Sequence, residues 1–186
     1  MTTHNLSDDG SGQRAIVPRM IDHVTFDVEG VPSPGGSKNA FLNRRTGRVV
    51  VTCAGGKKTK TWRAAVAAQA RLVFAGREPI APPVGLFVEF RMPRPKSHYL
   101  ADGRVSPSAP YVPIVRPDAT KLLRSTEDAM TGIAYVDDAQ IHEIRVVRVY
   151  VAEGSSGARI TVCTVQWDYT ANLGRENQAS PLKSRR

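Results

Sequence analysis

Apolar residues recur along this chain at two spacings: every second residue, as in a strand, and every third or fourth residue, as in a helix. The order of these two patterns is the sequence feature that most limits the possible folds. Residues 23–29 place an apolar side chain at every second position, which is typical of a strand with one buried face. Residues 60–74 place one at every third or fourth position, which predicts an amphipathic helix that ends at Gly76. Residues 84–92 alternate again. The sequence therefore predicts helices packed on a sheet.

Four further elements complete the prediction. They are a strand at Arg48–Cys53 after the Thr46-Gly47 turn, a helix from about Asp118 to Thr131 that ends at Gly132, and strands at His142–Val151 and Ala158–Trp167. The turn at 153–157 is expected to join the last two strands into a hairpin. The order β-β-α-β-α-β-β predicts a single α+β domain with a mixed β-sheet and two main helices.

The ends of the chain differ in composition from its middle. Residues 1–20 are expected to be a disordered leader and residues 170–186 a disordered basic tail, which leaves 21–169 as the folded domain. The leader lacks the apolar core of a signal peptide, and no apolar run approaches the ~20 residues of a membrane span. We therefore expect a cytoplasmic protein that is not bound to a membrane.

Positive charge is concentrated in one part of the sequence. Between Gly30 and Arg77 there are ten basic residues and no acidic one, in a chain of net charge +9. A field of one sign on this scale indicates contact with phosphates, although a solvated face would have the same composition. The expected DNA-binding residues are Lys38, Arg44, Arg45, Lys57, Lys58, Lys60 and Arg63.

Four aspartates lie around the second predicted helix: Asp118, Asp128, Asp137 and Asp138. Mg²⁺ prefers oxygen ligands and commonly binds one or two carboxylates together with waters and substrate phosphate. Acids gathered on a basic protein therefore suggest a metal ion held against a polyanion, as in a metal-dependent nuclease. A helix of about 14 residues is roughly 20 Å long, so Asp118 and Asp138 meet only if the chain folds back.

Each acid also has a purely structural explanation. Asp118 suits a helix cap, and Asp137 and Asp138 suit an exposed turn. Arg124 and Asp128 are four residues apart and can form a surface ion pair. The residues alone thus leave two alternatives, a metal-dependent nuclease and a noncatalytic nucleic-acid-binding module.

Three short motifs resemble those of the RusA-type Holliday junction resolvases. That family carries Pro-Asp-x-Asp-Asn-Leu-x-Lys, then Asp-Ala-Leu-x-Gly, then Asp-Asp-x-Gln before Val or Ile. The matching segments here are Pro117-Asp118-Ala119-Thr120-Lys121-Leu122-Leu123-Arg124, Asp128-Ala129-Met130-Thr131-Gly132 and Asp137-Asp138-Ala139-Gln140-Ile141. Gly30-x-Pro32-x-Pro34 and Gly36-Ser37-Lys38 also look like the family, and the resemblance spans residues 23 to 168.

The resemblance implies a homodimeric endonuclease that cuts four-way DNA junctions by paired nicks, using Mg²⁺ or Mn²⁺. Asp118 and Asp138 would be metal ligands, and Asp128 and Asp137 would be either further metal ligands or hydrogen-bonding partners of the ligands. Arg124 takes the position of the family's lysine, where a cation could stabilise charge on the scissile phosphate.

One departure from the family pattern affects the metal site. The family's second acid, two residues after Asp118, is Thr120 here, and the family's asparagine is Lys121. A lost carboxylate would weaken metal binding. Asp128, Glu127 or the Thr120 hydroxyl would have to compensate, or the protein would bind junctions with little cleavage.

Overall fold

The structure is a computed structural model that describes residues 19–166 apart from 37, 54–55 and 153, with no account of the side chains of 38–39 and 51–53. The predicted basic tail lies outside the described residues, as does the predicted leader except for Arg19 and Met20, which begin the first strand. Residues Met20–Val165 form one compact unit. No helix in the described part is long and apolar enough to cross a membrane.

The predicted elements are present, together with one strand that was not predicted. The strands are β1 Arg19–Glu29, β2 Lys38–Asn43, β3 Arg48–Cys53, β4 Val84–Pro93, β5 Ile141–Val151 and β6 Gly157–Gln166, and the helices are α1 Gly56–Val73 and α2 Ala119–Met130. Short 3₁₀ turns lie at Lys96–His98 and Asp138–Gln140. The structure confirms the mixed α+β fold with two main helices.

The main sheet has the strand order β1-β6-β4-β5. β4 runs parallel to β5 and antiparallel to β6, so the sheet is mixed, as predicted. The predicted hairpin of β5 and β6 is wrong, because β4 lies between them. The Gly- and Ser-containing sequence between the two strands is typical of a hairpin loop, but the pairing partner of each strand depends on side-chain burial over the whole sheet.

Both helices pack on one face of this sheet. The ring of Trp62 on α1 lies 6.4 Å from that of Phe90 on β4, and Phe74 meets Phe26 on β1 edge to face at the same distance. The Trp62 indole also donates a hydrogen bond of 3.2 Å to the Thr126 hydroxyl on α2. This buried bond joins the two helices within the core.

The opposite face of the sheet is more polar. Asp27 forms ion pairs with Arg91 at 2.6 Å and Arg159 at 3.0 Å, and the Thr25 and Thr161 hydroxyls are 2.8 Å apart. The hydrogen bonds and charges of the two arginines lower the pKa of Asp27, with Arg159 contributing most. A sheet with helices on one face and ion pairs on the other matches the α+β class.

Strands β2 and β3 form a separate antiparallel hairpin. Asn43 ends β2 and holds the turn, since its side chain accepts hydrogen bonds from the backbone amides of Arg45 and Thr46. Phe41 and Leu42 are exposed, so β2 lacks the buried alternating face that identifies a strand in sequence. This explains why the strand was missed.

Candidate functional site

Asp118 occupies the N-cap position of α2 but does not cap the helix through its side chain. Its carboxylate instead lies 3.3 Å from the ammonium group of Lys121. Pro117 precedes the cap rather than entering the first turn, and its peptide bond with Arg116 is cis. The side chain of Asp118 is half-exposed, so its carboxylate can reach a ligand.

Asp118 lies at the edge of a large cleft, here named the Asp118 cleft, with a volume of about 1070 Å³. Its wall is largely apolar and includes Trp62, Met92 and several prolines. Five cationic residues also line it: Lys57, Lys58, Arg116, Lys121 and Arg148. Cations close to an accessible carboxylate form a surface that suits a phosphodiester backbone next to a metal-binding group.

The wall of the cleft beside Asp118 is held by Arg148, which lies on β5. Its guanidinium donates hydrogen bonds to the carbonyl oxygens of Pro117 at 2.6 Å, Val115 at 3.0 Å and Pro113 at 2.8 Å. Bonds from a charged donor are stronger than neutral ones. Arg148 therefore fixes the backbone that leads into Asp118, although sequence reasoning did not select it, because an arginine in a strand carries no motif.

On its other side, the start of α2 is packed against the loop that follows β1. The backbone amide of Gly35 donates a 2.7 Å hydrogen bond to the Lys121 carbonyl, and a Cβ at Gly35 would lie 3.4 Å from the Ser125 amide. The Thr59 hydroxyl of α1 donates to the Pro34 carbonyl at 2.8 Å. The Pro- and Gly-rich loop thus connects the amino-terminal ends of α1 and α2, which places Lys57 and Lys58 in the cleft with Asp118.

The second acidic group lies beyond the carboxyl end of α2, in the turn that precedes β5. Asp137 accepts a hydrogen bond from the Ala139 amide at 2.8 Å, and the Gln140 side chain accepts one from the Asp137 amide at 2.7 Å. The Gln140 amide group also donates to the carbonyls of Ile80, Ala81 and Pro82. Asp137 and Gln140 therefore form a capping box that fixes this turn to the segment before β4.

Asp138 is exposed at the end of this rigid turn. Within the described residues its carboxylate has no hydrogen bond or ion pair, in contrast to that of Asp137. The two adjacent aspartates thus have different roles. Asp137 stabilises the turn, and Asp138 presents its carboxylate to solvent. The structural explanation that both aspartates simply lie in an exposed turn therefore does not account for the role of Asp137.

Glu127 faces Asp138 from the last turns of α2. Burial raises the pKa of Glu127, and the nearby charges of Asp138 and Asp128 raise it further, whereas Arg124 opposes the shift. Burial of its own ring raises the pKa of Tyr135, and the charges of Glu127, Asp138 and Asp128 raise it further. The Tyr135 hydroxyl donates a hydrogen bond to the Glu127 backbone carbonyl at 3.0 Å. A carboxyl group whose pKa is raised by burial and by neighbouring charges is found more often at functional sites than elsewhere. Glu127 was considered in the sequence as a replacement for the acid missing at Thr120.

Asp128 is paired with a different residue from the one expected. Its carboxylate forms an ion pair with Arg63 on α1 at 3.3 Å, and not with Arg124 on its own helix. Arg63, which was predicted to bind DNA, therefore forms an ion pair that joins α1 to α2. Arg124 is exposed on α2, close enough to Glu127 to lower its pKa.

The two candidate metal ligands, Asp118 and Asp138, lie at opposite ends of α2. Arg148 binds the carbonyl before Asp118, whereas Asp138 is three residues before Ile141, where β5 begins. Residues 141 to 148 of a strand span about 23 Å at ~3.3 Å per residue. In the part of the chain that is described, no group of three His, Cys, Asp or Glu side chains is close enough to hold a metal ion. The fold of one protomer does not bring the two ends together.

The other predicted DNA-binding residues fall on two elements. Arg44 and Arg45 lie in the exposed turn of the β2–β3 hairpin, and Lys60 is exposed on α1 beside Lys57 and Lys58. Lys38 begins β2, but its side chain lies outside the description.

Comparison with known proteins supplies one family. The family model described as Endodeoxyribonuclease RusA matches residues 32–163. No curated protein matches the chain. Among solved structures, the crystal structure of the protein Atu1372, of unknown function, from Agrobacterium tumefaciens is 10% identical. The match covers 75% of this chain and 82% of that one with a TM-score of 0.28, which is too low to support an argument.

Proposed function

Because this chain belongs to the RusA family of endodeoxyribonucleases, we propose that it is a structure-selective endonuclease that resolves four-way DNA junctions by paired nicks. Its place would be in DNA recombination and repair in the cytoplasm, and its active form would be a homodimer. A two-fold dimer suits a four-way junction, because it presents two equivalent sites to two strands of like polarity.

The observation that carries this proposal is the composition of the Asp118 cleft. Lys57 and Lys58 line the same cleft as Asp118 and belong to a different helix from it. Cations of this kind neutralise phosphates without reading bases, as expected of an enzyme that selects DNA by its branched shape. Arg44 and Arg45 on the hairpin turn and Lys60 on α1 would extend the contact along a duplex arm.

Asp118 and Asp138 are the proposed metal ligands, with Mg²⁺ as the metal and Mn²⁺ as a substitute. Their carboxylates are the oxygen donors that Mg²⁺ prefers, and such an ion can activate water and stabilise charge on a phosphate. However, the two carboxylates lie at opposite ends of α2, so the residues of a single protomer do not fit the ion together. We therefore assign no reaction step to a metal on one protomer.

The remaining site residues have narrower proposed roles. Arg124 is exposed on α2 and lies four residues after Thr120, so the two side chains share one face of the helix. From this face Arg124 would contact the scissile phosphate. Asp128 would orient Arg63 through their ion pair, and Asp137 would position Asp138 through the capping box. Glu127, whose pKa is raised by burial and by nearby Asp138, would be an additional acid at the Asp138 end of α2, away from Thr120.

The test is cleavage of a synthetic four-way junction with Mg²⁺ or Mn²⁺ by the wild type, Asp118→Asn and Asp138→Asn. We expect symmetric nicks from the wild type and a loss of more than about 100-fold in each variant, above the range for loss of an outer-shell partner. Asp102→Asn is the matched control, because Asp102 is half-exposed and paired with Arg104 in the loop after β4.

Two observations favour a second candidate, a noncatalytic module that binds branched DNA. The separation of Asp118 from Asp138 and the presence of Thr120 both reduce the carboxylates available to one metal ion. Such a module would bind junctions with strong salt dependence and show no cutting by the wild type with either metal. That result would contradict the nuclease proposal.

A further inference from the structure

A run of exposed apolar residues borders the Asp118 cleft. The sequence Tyr-Val-Pro-Ile-Val, residues 111–115 and here named the Tyr111 segment, contains no charged residue. The exposed fractions are 93% for Tyr111, 51% for Val112, 71% for Ile114 and 58% for Val115, whereas Pro113 is buried. A soluble domain seldom leaves consecutive apolar side chains in water unless they bind something. The Tyr111 segment is therefore a candidate binding surface.

The backbone of the Tyr111 segment is anchored at both ends. Arg94, which directly follows β4, donates a 3.0 Å hydrogen bond to the Pro110 carbonyl, and its guanidinium lies 4.7 Å from the centre of the Tyr150 ring. Arg148 anchors the other end through its bonds to carbonyls within and after the segment. A segment whose backbone is already fixed loses little conformational entropy when it binds a ligand.

The charges around the Tyr111 segment favour DNA as that ligand. Pro113 and Val115 line the Asp118 cleft, so the segment lies at its rim. The five cationic residues of the cleft outnumber its two acidic residues, Asp118 and Glu29. Such an excess of cations favours a polyanion over a protein surface of mixed charge. The exposed apolar side chains therefore border the cleft in which the proposed function places DNA.

The part of DNA that an apolar surface can bind is the face of a base. Within a duplex both faces of each base are covered by its neighbours. At the point where four arms meet, the last base pair of an arm loses a stacking neighbour when the arms separate. Aromatic rings stack on base faces whatever the sequence, and Ile and Pro are among the residues that proteins insert beside unstacked bases. The Tyr111 segment contains all three residue types.

We propose that the Tyr111 segment binds the base exposed at the branch point of a DNA junction. The ring of Tyr111 stacks on this base, and Val112 and Ile114 provide further apolar contacts. The inference rests on the proposed function for junction binding but not for cleavage. It supplies a means of recognising the branch, because phosphate contacts alone are equally available along an unbranched duplex.

The first test compares the affinity of the purified full chain for a four-way junction and for an unbranched duplex of equal length. Fluorescence anisotropy with EDTA present measures both. Tyr111→Ala should weaken junction binding by about 5- to 150-fold and duplex binding by less than about twofold, because only the junction offers an exposed base. Tyr111→Phe keeps the ring and should bind both DNAs like the wild type. Leu72→Ala, which removes an exposed apolar side chain near the end of α1, is the control.

Salt dependence separates stacking from phosphate contact. Stacking releases no counterions, so Tyr111→Ala should weaken junction binding at every salt concentration and leave the slope of log affinity against log salt unchanged. Arg116→Gln removes the cation that directly follows the segment and should instead reduce this slope by about 0.9. An equal reduction by Tyr111→Ala would mean that the residue contacts a phosphate and would contradict stacking.

Photocrosslinking identifies the contacted base. A junction that carries 5-iododeoxyuridine at the branch point is irradiated in the complex, and the crosslinked peptide is identified by mass spectrometry. This base crosslinks efficiently to an aromatic ring stacked on it. The wild type and Tyr111→Phe should therefore give a crosslink at position 111, whereas Tyr111→Ala should not. The same base placed in the middle of a duplex arm should give no crosslink there.

The outcomes distinguish failure of the base contact from failure of the proposed function. A junction affinity that Tyr111→Ala leaves unchanged, or a branch-point base that crosslinks only elsewhere, would overturn the contact and leave the proposed function intact. Sedimentation without DNA tests a protein partner instead: a change of oligomeric state in Tyr111→Ala would overturn the assignment to DNA. A wild type that binds a junction no more tightly than a duplex would contradict both proposals. Because binding is measured without metal, a failure of cleavage does not affect these results.

Discussion

Arg148 donates a hydrogen bond of 2.6 Å to the carbonyl oxygen of Pro117, the residue directly before Asp118. The same guanidinium also binds the carbonyls of Pro113 and Val115, so one side chain on a strand holds the backbone of an irregular segment. Irregular segments gain a fixed shape mainly through such bonds from a rigid element. The position of the Asp118 carboxylate thus depends on a residue 30 positions away in sequence.

Replacing Arg148 by alanine should reduce junction cleavage by about 10- to 100-fold, because the residue acts as an outer support of the candidate ligand. The free energy of unfolding should fall by roughly 2 kcal/mol, because three hydrogen bonds are lost. The loss is limited to this size because the released carbonyls can bind water. Arg148→Lys retains the charge but not the forked geometry, and should recover part of both losses. Cleavage kinetics and urea unfolding measure the two effects.

The matched control is Arg104→Ala, which removes an exposed arginine from the loop after β4. A purely structural role for Arg148 predicts that its alanine variant, once folded, binds Mn²⁺ and cuts DNA like the wild type. That result would refute a positioning role.

The salt dependence of DNA binding provides a second prediction, for Lys57 and Lys58. If both contact phosphates, their replacement by glutamine should reduce the slope of log affinity against log salt by about 1.8, at ~0.9 per phosphate on B-DNA. Fluorescence anisotropy with a junction at several salt concentrations measures this slope without cleavage when EDTA is present.

Arg71→Gln with Arg77→Gln is the control for the lysine pair, because it removes the same charge at the other end of α1. Eighteen residues of helix separate the two ends by about 27 Å. An equal change of slope in both double variants would mean that net charge alone determines binding and that the Asp118 cleft has no special role.

The sequence predicted most of the fold from periodicity, and the failures have a common physical origin. Helix α2 was predicted to within one residue, because its apolar stripe lies between a proline and Gly132, which has a φ of +74°. The β5–β6 hairpin was wrong because pairing between strands is a long-range property that a local turn does not determine. Strand β2 was missed because none of its described side chains, those of residues 40–43, is buried.

The candidate site could be predicted only in part. The motif predicted Asp118 and Asp138 as metal ligands, and this stays a prediction, because the structure places them at opposite ends of α2, as the length of the helix had indicated. Sequence analysis did not select Arg148, because its three acceptors are backbone carbonyls. Every residue has a backbone carbonyl, so no residue type marks such an acceptor in the sequence. The pairing of Asp128 with Arg63 depends on how α1 and α2 pack, and a spacing of four residues along one helix could not reveal it.

The bond between Trp62 and Thr126 predicts a measurable coupling between α1 and α2. Trp62→Phe removes the indole donor and some ring volume, and should reduce the free energy of unfolding by about 1–3 kcal/mol. Thr126→Val removes the acceptor at nearly constant volume and should cost about 1 kcal/mol.

In urea unfolding, the double variant should lose less than the sum of the two single losses by about 0.5–1 kcal/mol. The Thr126 hydroxyl also donates to the Leu122 carbonyl, so Thr126→Ser serves as a control that keeps both bonds. Strict additivity of the two single changes would show that the indole bond does not contribute to stability.

The raised pKa of Glu127 predicts that stability depends on pH at this position. The folded pKa of Glu127 lies above its ordinary value of 4.5, so the unfolded state releases this proton more easily than the folded state. The favourable contribution is therefore fully present below pH 4.5 and is lost as the pH rises through the folded pKa. Above that pKa the ionised form of Glu127 destabilises the fold, because it is buried and lies near Asp138 and Asp128.

Glu127→Gln should accordingly raise the free energy of unfolding at pH 7, and this gain should shrink as the pH is lowered towards 4. Urea unfolding of the wild type and the variant at several pH values gives the difference directly, and Glu78→Gln is the control at an exposed acid. If Glu127 also assists the metal, the stabilised variant should cut junctions more slowly and bind Mn²⁺ more weakly, since functional acids are often kept at a cost in stability. A variant that is less stable than the wild type at pH 7 would contradict the destabilisation that we assign to the burial of Glu127 and its acidic neighbours.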